Sequence, residues 1–225
     1  MDAAFFTAWL AECAAVVAAH RDRLTELDAA IGDADHGANL TRGFTAIQEA
    51  AVPARAPADD PTPTPAPTSG SPLPPGKVVS AAGSLLIRKV GGASGPLYGT
   101  ALRSMGQALG DAPQVSPADL ATALEAGVVA VERLGKAAVG DKTMIDALRP
   151  AAAALALAVQ DGVKLEEALD RAAAAAEAGA RATAPLRARK GRASYLGERS
   201  EGHEDPGAAS AALLVRALHT VAARW

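Results

Sequence analysis

An all-α fold is predicted by three features of this 225-residue chain. Alanine, the best helix former, dominates an apolar fraction of 49%. Aromatic residues make up only 3%, and the side chains that favour strands are sparse. Apolar residues recur at three- and four-residue steps between proline and glycine punctuation. The first predicted helix covers 3–20, with Phe6, Leu10, Cys13 and Val17 on one stripe and Phe5, Trp9 and Val16 beside it. Residues 21–30 continue it or restart a helix that ends near Gly32. Another runs from about 38 to 51, with Leu40, Phe44 and Ile47 on one face. Residues 53–76 are proline-rich with almost no large apolar side chain, so they are expected to form an extended, solvated loop. The segment before them carries only part of a core. They are therefore expected to be an insertion between two helices of one domain, 1–225, and not a linker.

A helix over 77–89 is built around Leu85 and Leu86, and the run GGASGPLYG at 91–99 leads into a further helix to about 109. Ser116 is a cap and Pro117 a first helical residue, opening a helix to Leu134 that Gly135 stops. GDKTMID, at 140–146, leads into a helix ending at Asp161 and Gly162. Residues 165–184 form another, with an alanine-rich middle. A polar loop at 185–204 follows. Asp205 then caps the last helix, with Pro206 in its first turn and Gly207 behind it. The total is about eight helices, with no internal repeat.

Net charge is −3 and the pI about 5.8, which argues against a general nucleic-acid binder while leaving room for a local nucleotide site. Cys13 is the only cysteine, so neither a disulfide framework nor a thiolate metal site is available. The apolar N-terminus lacks a basic leader and is interrupted by Asp2 and Glu12. It is expected to be neither signal peptide nor membrane span, which makes the cytoplasm the expected location and a membrane no partner.

The chemistry concentrates at 27–43, LDAAIGDADHGANLTRG. Asp28, Asp33 and Asp35 fall close together, followed by His36, and Gly32 and Gly37 bracket the acids. Clustered carboxylates repel one another unless a cation sits among them. A hard divalent ion with oxygen ligands meets that need, against the alternative of a solvated acidic turn. The EF-hand pattern fails, because Gly37, Ala38 and Phe44 stand where ligands and the invariant glycine belong. Magnesium suits so few ligands better, since it keeps waters and shares its sphere with phosphates. GGASGPLYG between two helices is either a tight turn or a phosphate cradle. It is neither a P-loop nor a dinucleotide fingerprint. In the loop at 185–204, Arg187, Arg189, Lys190, Arg192 and Arg199 are mostly solvated, with one or two able to neutralise a phosphate. His203 is read as a surface or supporting group. Lys142 and Thr143 either cap their helix or approach the same ligand.

Four blocks, LDAAIGDADHGANLTRGF, GGASGPLYG, GDKTMIDAL and RKGRASYLGERSEGHEDPGA, together resemble the nucleotide-binding L subunits of dihydroxyacetone kinases, in the family's order and over almost the whole chain. The resemblance implies a closed barrel of eight antiparallel helices with the nucleotide at one end. It implies ADP or ATP as ligand and two magnesium ions held by Asp28, Asp33 and Asp35. His36, Gly37, Ala38 and Asn39 would lie beside the nucleotide and Ala93 and Ser94 at its phosphates. Gly135 and Met144 would line the base pocket, and Arg192 and the turn Asp205, Pro206, Gly207 would complete the site. Arg192 would add phosphate neutralisation. The chain would be a phosphotransferase subunit, active only with a K subunit that holds dihydroxyacetone. In the phosphoenolpyruvate-dependent form ADP stays bound and a phosphohistidine-carrying M subunit recharges it. An ATP-dependent kinase subunit for dihydroxyacetone or a related keto sugar, and a nucleotide-sensing partner of a regulator, are the alternatives. A homodimer is compatible with each. The proline-rich stretch is the departure from the family pattern.

Overall fold

The computed structural model describes residues 1–51 and 73–225. Among these, nine α-helices occur: α1 (Ala3–Ala19), α2 (Arg21–Ile31), α3 (His36–Ala51), α4 (Pro75–Lys89), α5 (Ser94–Leu109), α6 (Pro117–Gly135), α7 (Ile145–Gln160), α8 (Leu165–Ala182) and α9 (Pro206–Ala222). A 3-10 segment, Arg192–Ser200, lies between α8 and α9, and no strand occurs among the described residues. The chain restarts at His20 with a 63° bend between α1 and α2, which raises the number above eight. His20 closes α1 with its backbone N–H on the Val16 carbonyl, and its ring Nδ1 lies 2.8 Å from the same oxygen.

Most of the predicted proline-rich loop lies outside the described residues. Its end is corrected, because Pro75 and Gly76 already belong to α4. Proline suits the first helical position, where its missing N–H has no intrahelical partner to lose. Gly76 lets α4 approach α5 so closely that a Cβ there would stand 2.2 Å from the Gly110 carbonyl oxygen. The expected start of α3 also moves, from 38 to His36. Ser116 and Asp205 cap as expected. Ser116 Oγ accepts from Asp119 N–H and the Asp119 carboxylate accepts from Ser116 N–H, while Asp205 accepts from Ala208 N–H at 2.7 Å. Gly135 does not stop α6 but is its last residue, and Lys136 beyond it takes a left-handed φ of 47°.

Helices α1, α3, α4, α5, α6, α7, α8 and α9 pack each on the next in that order, and α9 returns to α1. Eight helices thus close a barrel, and α2 lies across α3, α9 and the 3-10 segment. The short connections 90–93, 110–116, 136–144 and 161–164 make successive helices antiparallel. The interior is one apolar cluster. Phe5, Phe6, Trp9 and Leu10 of α1 join Leu40 and Phe44 of α3, Leu102 and Met105 of α5, and Leu214 and Leu218 of α9. Trp9 Nε1 donates to the Leu214 carbonyl at 3.1 Å, a bond across the closure of the ring. Helix α8 turns Ala168, Ala172, Ala173 and Ala176 inward, and such small side chains let it sit close to α7. A Cβ at Gly179 would stand 2.0 Å from the Asp146 carbonyl oxygen. Cys13 is a buried filler, and burial pushes its thiol well above the usual range. No single helix among the described residues is long and apolar enough to cross a membrane.

Candidate functional site

Alternating helix directions bring the N-termini of α3, α5, α7 and α9 to one end of the barrel. They surround a cavity of about 450 Å³. Asp28, Asp33, Asp35 and His36 form one wall, and Gly92, Ala93 and Ser94 another. Leu97, Val131, Leu134, Met144 and Ile145 give an apolar side. Lys190, Gly191, Arg192 and the turn Asp205–Gly207 complete the rim.

The acidic wall is built by a reversal of the chain between α2 and α3. Ala34 sits at φ 61°, which folds Asp33 and Asp35 back toward Asp28 at the end of α2. Gly32 is required there, because a Cβ would stand 2.0 Å from Asp28 Oδ1. Asp28 Oδ2 accepts from the backbone N–H of Asp35 at 2.9 Å and of His36 at 3.1 Å, so this buried carboxylate also caps α3. One carboxylate oxygen from each of Asp28, Asp33 and Asp35 falls within 4.8 Å of the others. The ion pair found within this trio's surroundings is Arg192 to Asp33 at 3.1 Å. Three carboxylates facing one arginine fit a hard divalent cation, and the donor set is all oxygen.

The start of α5 differs from those of α3 and α9, and like α7 it has no cap from its own N-cap side chain. Asp28 caps α3, Asp205 caps α9, and Thr143 Oγ1 accepts from Ile145 N–H at the start of α7. No described side chain caps α5, whose N-cap residue is Ala93. Ser94 and Gly95 therefore keep N–H groups without an intrahelical partner, Pro96 has none, and Ser94 lines the cavity with the positive end of the helix dipole behind it. Gly92, at φ 64°, makes the turn that presents it.

His36 is buried between two hydroxyls. Its Nδ1 lies 3.0 Å from Ser94 Oγ and its Nε2 2.8 Å from Ser210 Oγ. Ser210 continues to Tyr98 Oη at 2.6 Å. Burial holds the imidazole below its ordinary range, against the pull of Asp28 and Asp35. Sequence reasoning missed Ser210 and Tyr98. Tyr98 was visible inside the glycine-rich run, but nothing in the sequence linked it to His36.

Three of the expected nucleotide neighbours lie off the cavity wall. A Cβ at Gly37 would stand 2.1 Å from the Arg21 carbonyl oxygen, so this glycine serves the α2–α3 contact. Ala38 is half-buried away from the cavity lining, and the buried Asn39 accepts from Arg42. A Cβ at Gly91 would stand 3.6 Å from Asn39 Oδ1, which puts Asn39 behind the glycine turn. The remaining expected residues, Asp28, Asp33, Asp35, His36, Ala93, Ser94, Gly135, Met144, Arg192, Asp205, Pro206 and Gly207, share the cavity.

The polar loop is less free than expected. Lys142, at φ 62° and 1% exposed, sends its ammonium into a cage of backbone carbonyls. Nζ donates to Thr183 at 2.9 Å, Leu186 at 3.0 Å and Ser200 at 2.7 Å, and also meets Ala184 and His203. The Lys142 ammonium thus does not cap α7 and is held in this cage, while the residue itself lines the cavity beside Thr143. Asp146 shapes that turn instead, accepting from Gly140 N–H at 2.6 Å and Thr143 N–H at 2.8 Å.

Burial and the nearby Asp146 push the Asp205 carboxyl up to about 7, against the helix N–H it accepts. A carboxyl raised above its unfolded value near 4 binds its proton more readily in the folded chain. Stability from this group is therefore full below that value and falls as pH rises toward 7, at about 1.4 kcal/mol per unit of displacement. Asp205→Asn, which can still cap α9, is expected to gain on wild type as pH rises from 5 to 8. Urea unfolding of the metal-free chain checks this, and a constant difference across that range would contradict it.

These features define a closed helical barrel whose open end is built to receive an anion together with a hard cation. The model of the DAK2 domain matches residues 30–220, and the chain belongs to that family. It is 39% identical over 142 residues to the ADP-binding subunit of a PEP-dependent dihydroxyacetone kinase of Listeria innocua, covering 63% of each. The corresponding subunit of Escherichia coli is 38% identical over 142 residues, covering 63% of this chain and 60% of that one. A D-erythrulose kinase of Mycolicibacterium smegmatis is 38% identical over 129 residues, 57% of this chain and 20% of that one. Each match spans less than two thirds of the relative's length. The crystal structure of the dihydroxyacetone kinase from C. freundii in complex with AMP-PNP and Mg2+ superposes with a TM-score of 0.68 at 26% identity. It covers 96% of this chain and 34% of that one.

Proposed function

We propose that this chain is the nucleotide- and magnesium-binding, phosphoryl-donor subunit of a dihydroxyacetone kinase. The observation that carries the reading is the meeting of three carboxylates, an uncapped helix N-terminus and an apolar wall around one cavity, in a chain of the DAK2 family. We read the chain as one domain, with the proline-rich segment inserted between α3 and α4.

Asp28, Asp33 and Asp35 would hold magnesium, two ions by the family resemblance, which supplies charge neutralisation at the nucleotide's phosphates. The N–H groups at the start of α5 would donate to phosphate oxygens. Leu97, Leu134, Gly135 and Met144 would take the base. Arg192 would leave Asp33 to add its guanidinium to the phosphates. His36, neutral and engaged at both ring nitrogens, would position Ser94 rather than move a proton. The work of the site is charge neutralisation and alignment.

The motifs of the chain include no recognisable place to activate a ketose. The acceptor would arrive on a separate K subunit holding dihydroxyacetone or a related keto sugar. With phosphoenolpyruvate as the source, ADP would remain bound and an M subunit would recharge it, and we favour this form because the L subunits at 38–39% identity carry that description. A homodimer is compatible with this reading. The test is a coupled assay for dihydroxyacetone phosphate. The chain alone with ATP and magnesium is expected to give essentially none, and adding a K subunit is expected to restore transfer. Robust product from the chain alone would refute the division of labour.

A further inference from the structure

We propose that the cage around Lys142 is a coordination shell for a monovalent cation, that the Lys142 ammonium is its built-in occupant, and that filling the shell is what positions Arg192 at the cavity. A free potassium or ammonium ion can take its place once the side chain is removed. The shell stands on its own geometry, and its consequence for Arg192 rests on the phosphoryl-donor reading above. Five backbone carbonyls converge on Nζ: Thr183, Ala184, Leu186 and Ser200 at 2.7–3.2 Å, and His203. An ammonium has three protons, so at most three of these contacts are ordinary two-centre hydrogen bonds. The others are contacts of a charge with carbonyl dipoles. An all-carbonyl shell is also what replaces the water around potassium in a selectivity filter. Thr183, Ala184 and Leu186 lie just beyond the C-terminus of α8, at the negative end of its dipole, and Asp205 and Glu201 add negative charge nearby.

Lys142 holds its position at φ 62°, a left-handed conformation that strains a lysine and suits glycine. A turn that needed only this backbone would be met by glycine, so the side chain is what the position requires. Around the ammonium the chain closes a ring. Gly202 N–H donates to the Ala184 carbonyl at 2.8 Å, Ala188 N–H to Ser200 Oγ at 2.9 Å and Asp205 N–H to Thr183 Oγ1 at 2.9 Å. Arg192 sits on the arc between Leu186 and Ser200. Apolar support there is slight, with Ile31, Ala188 and Ala193 in a cluster of three. The Arg192 side chain is 70% exposed and meets Asp33. Its aim therefore depends on the backbone beneath it, and that backbone is wrapped around a cation.

Two substitutions separate the ion from the stem that carries it. Lys142 lines the nucleotide cavity, so in Lys142→Gly the space of the stem joins that cavity to the cage and gives an ion its way in. Glycine also accepts the backbone conformation. In Lys142→Met a stem of similar length remains and blocks the way.

The experiment compares wild type, Lys142→Gly and Lys142→Met in potassium, ammonium, sodium or choline chloride at one ionic strength. It reads the rate of proteolysis within 185–204 and, by calorimetry with magnesium, what Arg192→Ala costs in ADP affinity in each background. In choline, Lys142→Gly is expected to be cleaved faster than wild type, and Arg192→Ala to cost it nothing further. Potassium or ammonium at about ten times its dissociation constant is expected to slow that cleavage roughly tenfold. It is also expected to restore the cost of Arg192→Ala, about tenfold or more in wild type. Sodium is expected to do less, and neither wild type nor Lys142→Met to respond. Equal cleavage of Lys142→Gly in potassium and choline, or a chain unfolded in both by circular dichroism, would overturn the shell. A potassium response shared by Lys142→Met would mark a general salt effect and overturn it too. The same cost of Arg192→Ala in wild type and in Lys142→Gly with choline would overturn the positioning of Arg192. No cost in wild type, with potassium still protecting Lys142→Gly, would remove Arg192 from the donor reading and its positioning with it, and leave the shell standing.

Discussion

Asp33→Asn is expected to lower the affinity for ADP in the presence of magnesium by on the order of 100-fold, with helical content unchanged. Asparagine keeps the shape of the side chain and removes its charge, so the change isolates the electrostatic contribution. Asp33 is the right member of the trio for this purpose. Its structural contact is an exposed pair with Arg192, worth roughly 0–1 kcal/mol. Asp28 would confound the result, because its Oδ2 also holds the first N–H groups of α3. Calorimetric titration with ADP, alongside circular dichroism, measures both quantities. Affinity equal to wild type would remove Asp33 from the site.

Lys142→Met is expected to cost about 3–5 kcal/mol of stability. Methionine nearly matches the lysine stem in length, so lost packing is a minor part. The loss comes from carbonyls of Thr183, Leu186 and Ser200 that the ammonium now satisfies, in a place water does not reach. Burial also holds the ammonium below its usual range, opposed by Asp205 and Glu201. The segment 183–203 should open in the variant, carrying Arg192 away from the cavity. Urea unfolding gives the stability, and limited proteolysis within 185–204 reports the opening. A change within about 0.5 kcal/mol of wild type, the size of an ordinary surface substitution, would show that the cage is dispensable.

Helix positions were legible because alanine-rich, three- and four-step patterns and proline–glycine punctuation report local structure directly. Two of the boundary errors have local causes. Pro75 reads as loop by composition but opens a helix. His36 begins α3 because a carboxylate eight residues earlier, Asp28, caps it from α2. Closure of the barrel was not readable from periodicity and came from family resemblance. It depends on α9 returning to α1, a contact between opposite ends of the chain.

At the site, the acidic trio was legible because its members are neighbours in sequence, and the turn at Ala34 only tightens what proximity already implied. The glycine-rich run was ambiguous between turn and cradle. The absence of a side-chain cap on α5 favours the cradle, and capping depends on which side chains surround the turn in space. Lys142 was the largest misreading. Its five acceptors lie 41 to 61 residues away, and no local pattern marks a lysine that folds inward to hold a loop. The link from His36 to Ser210 spans 174 residues and was invisible for the same reason.

The central claim is that one site binds nucleotide through magnesium at the three carboxylates. Its most direct test is calorimetric titration of ADP into the nucleotide-stripped wild-type chain, once with magnesium and once with a chelator. Tight binding is expected with the metal, and affinity lower by on the order of 100-fold or more without it. Equal affinity under both conditions would contradict it.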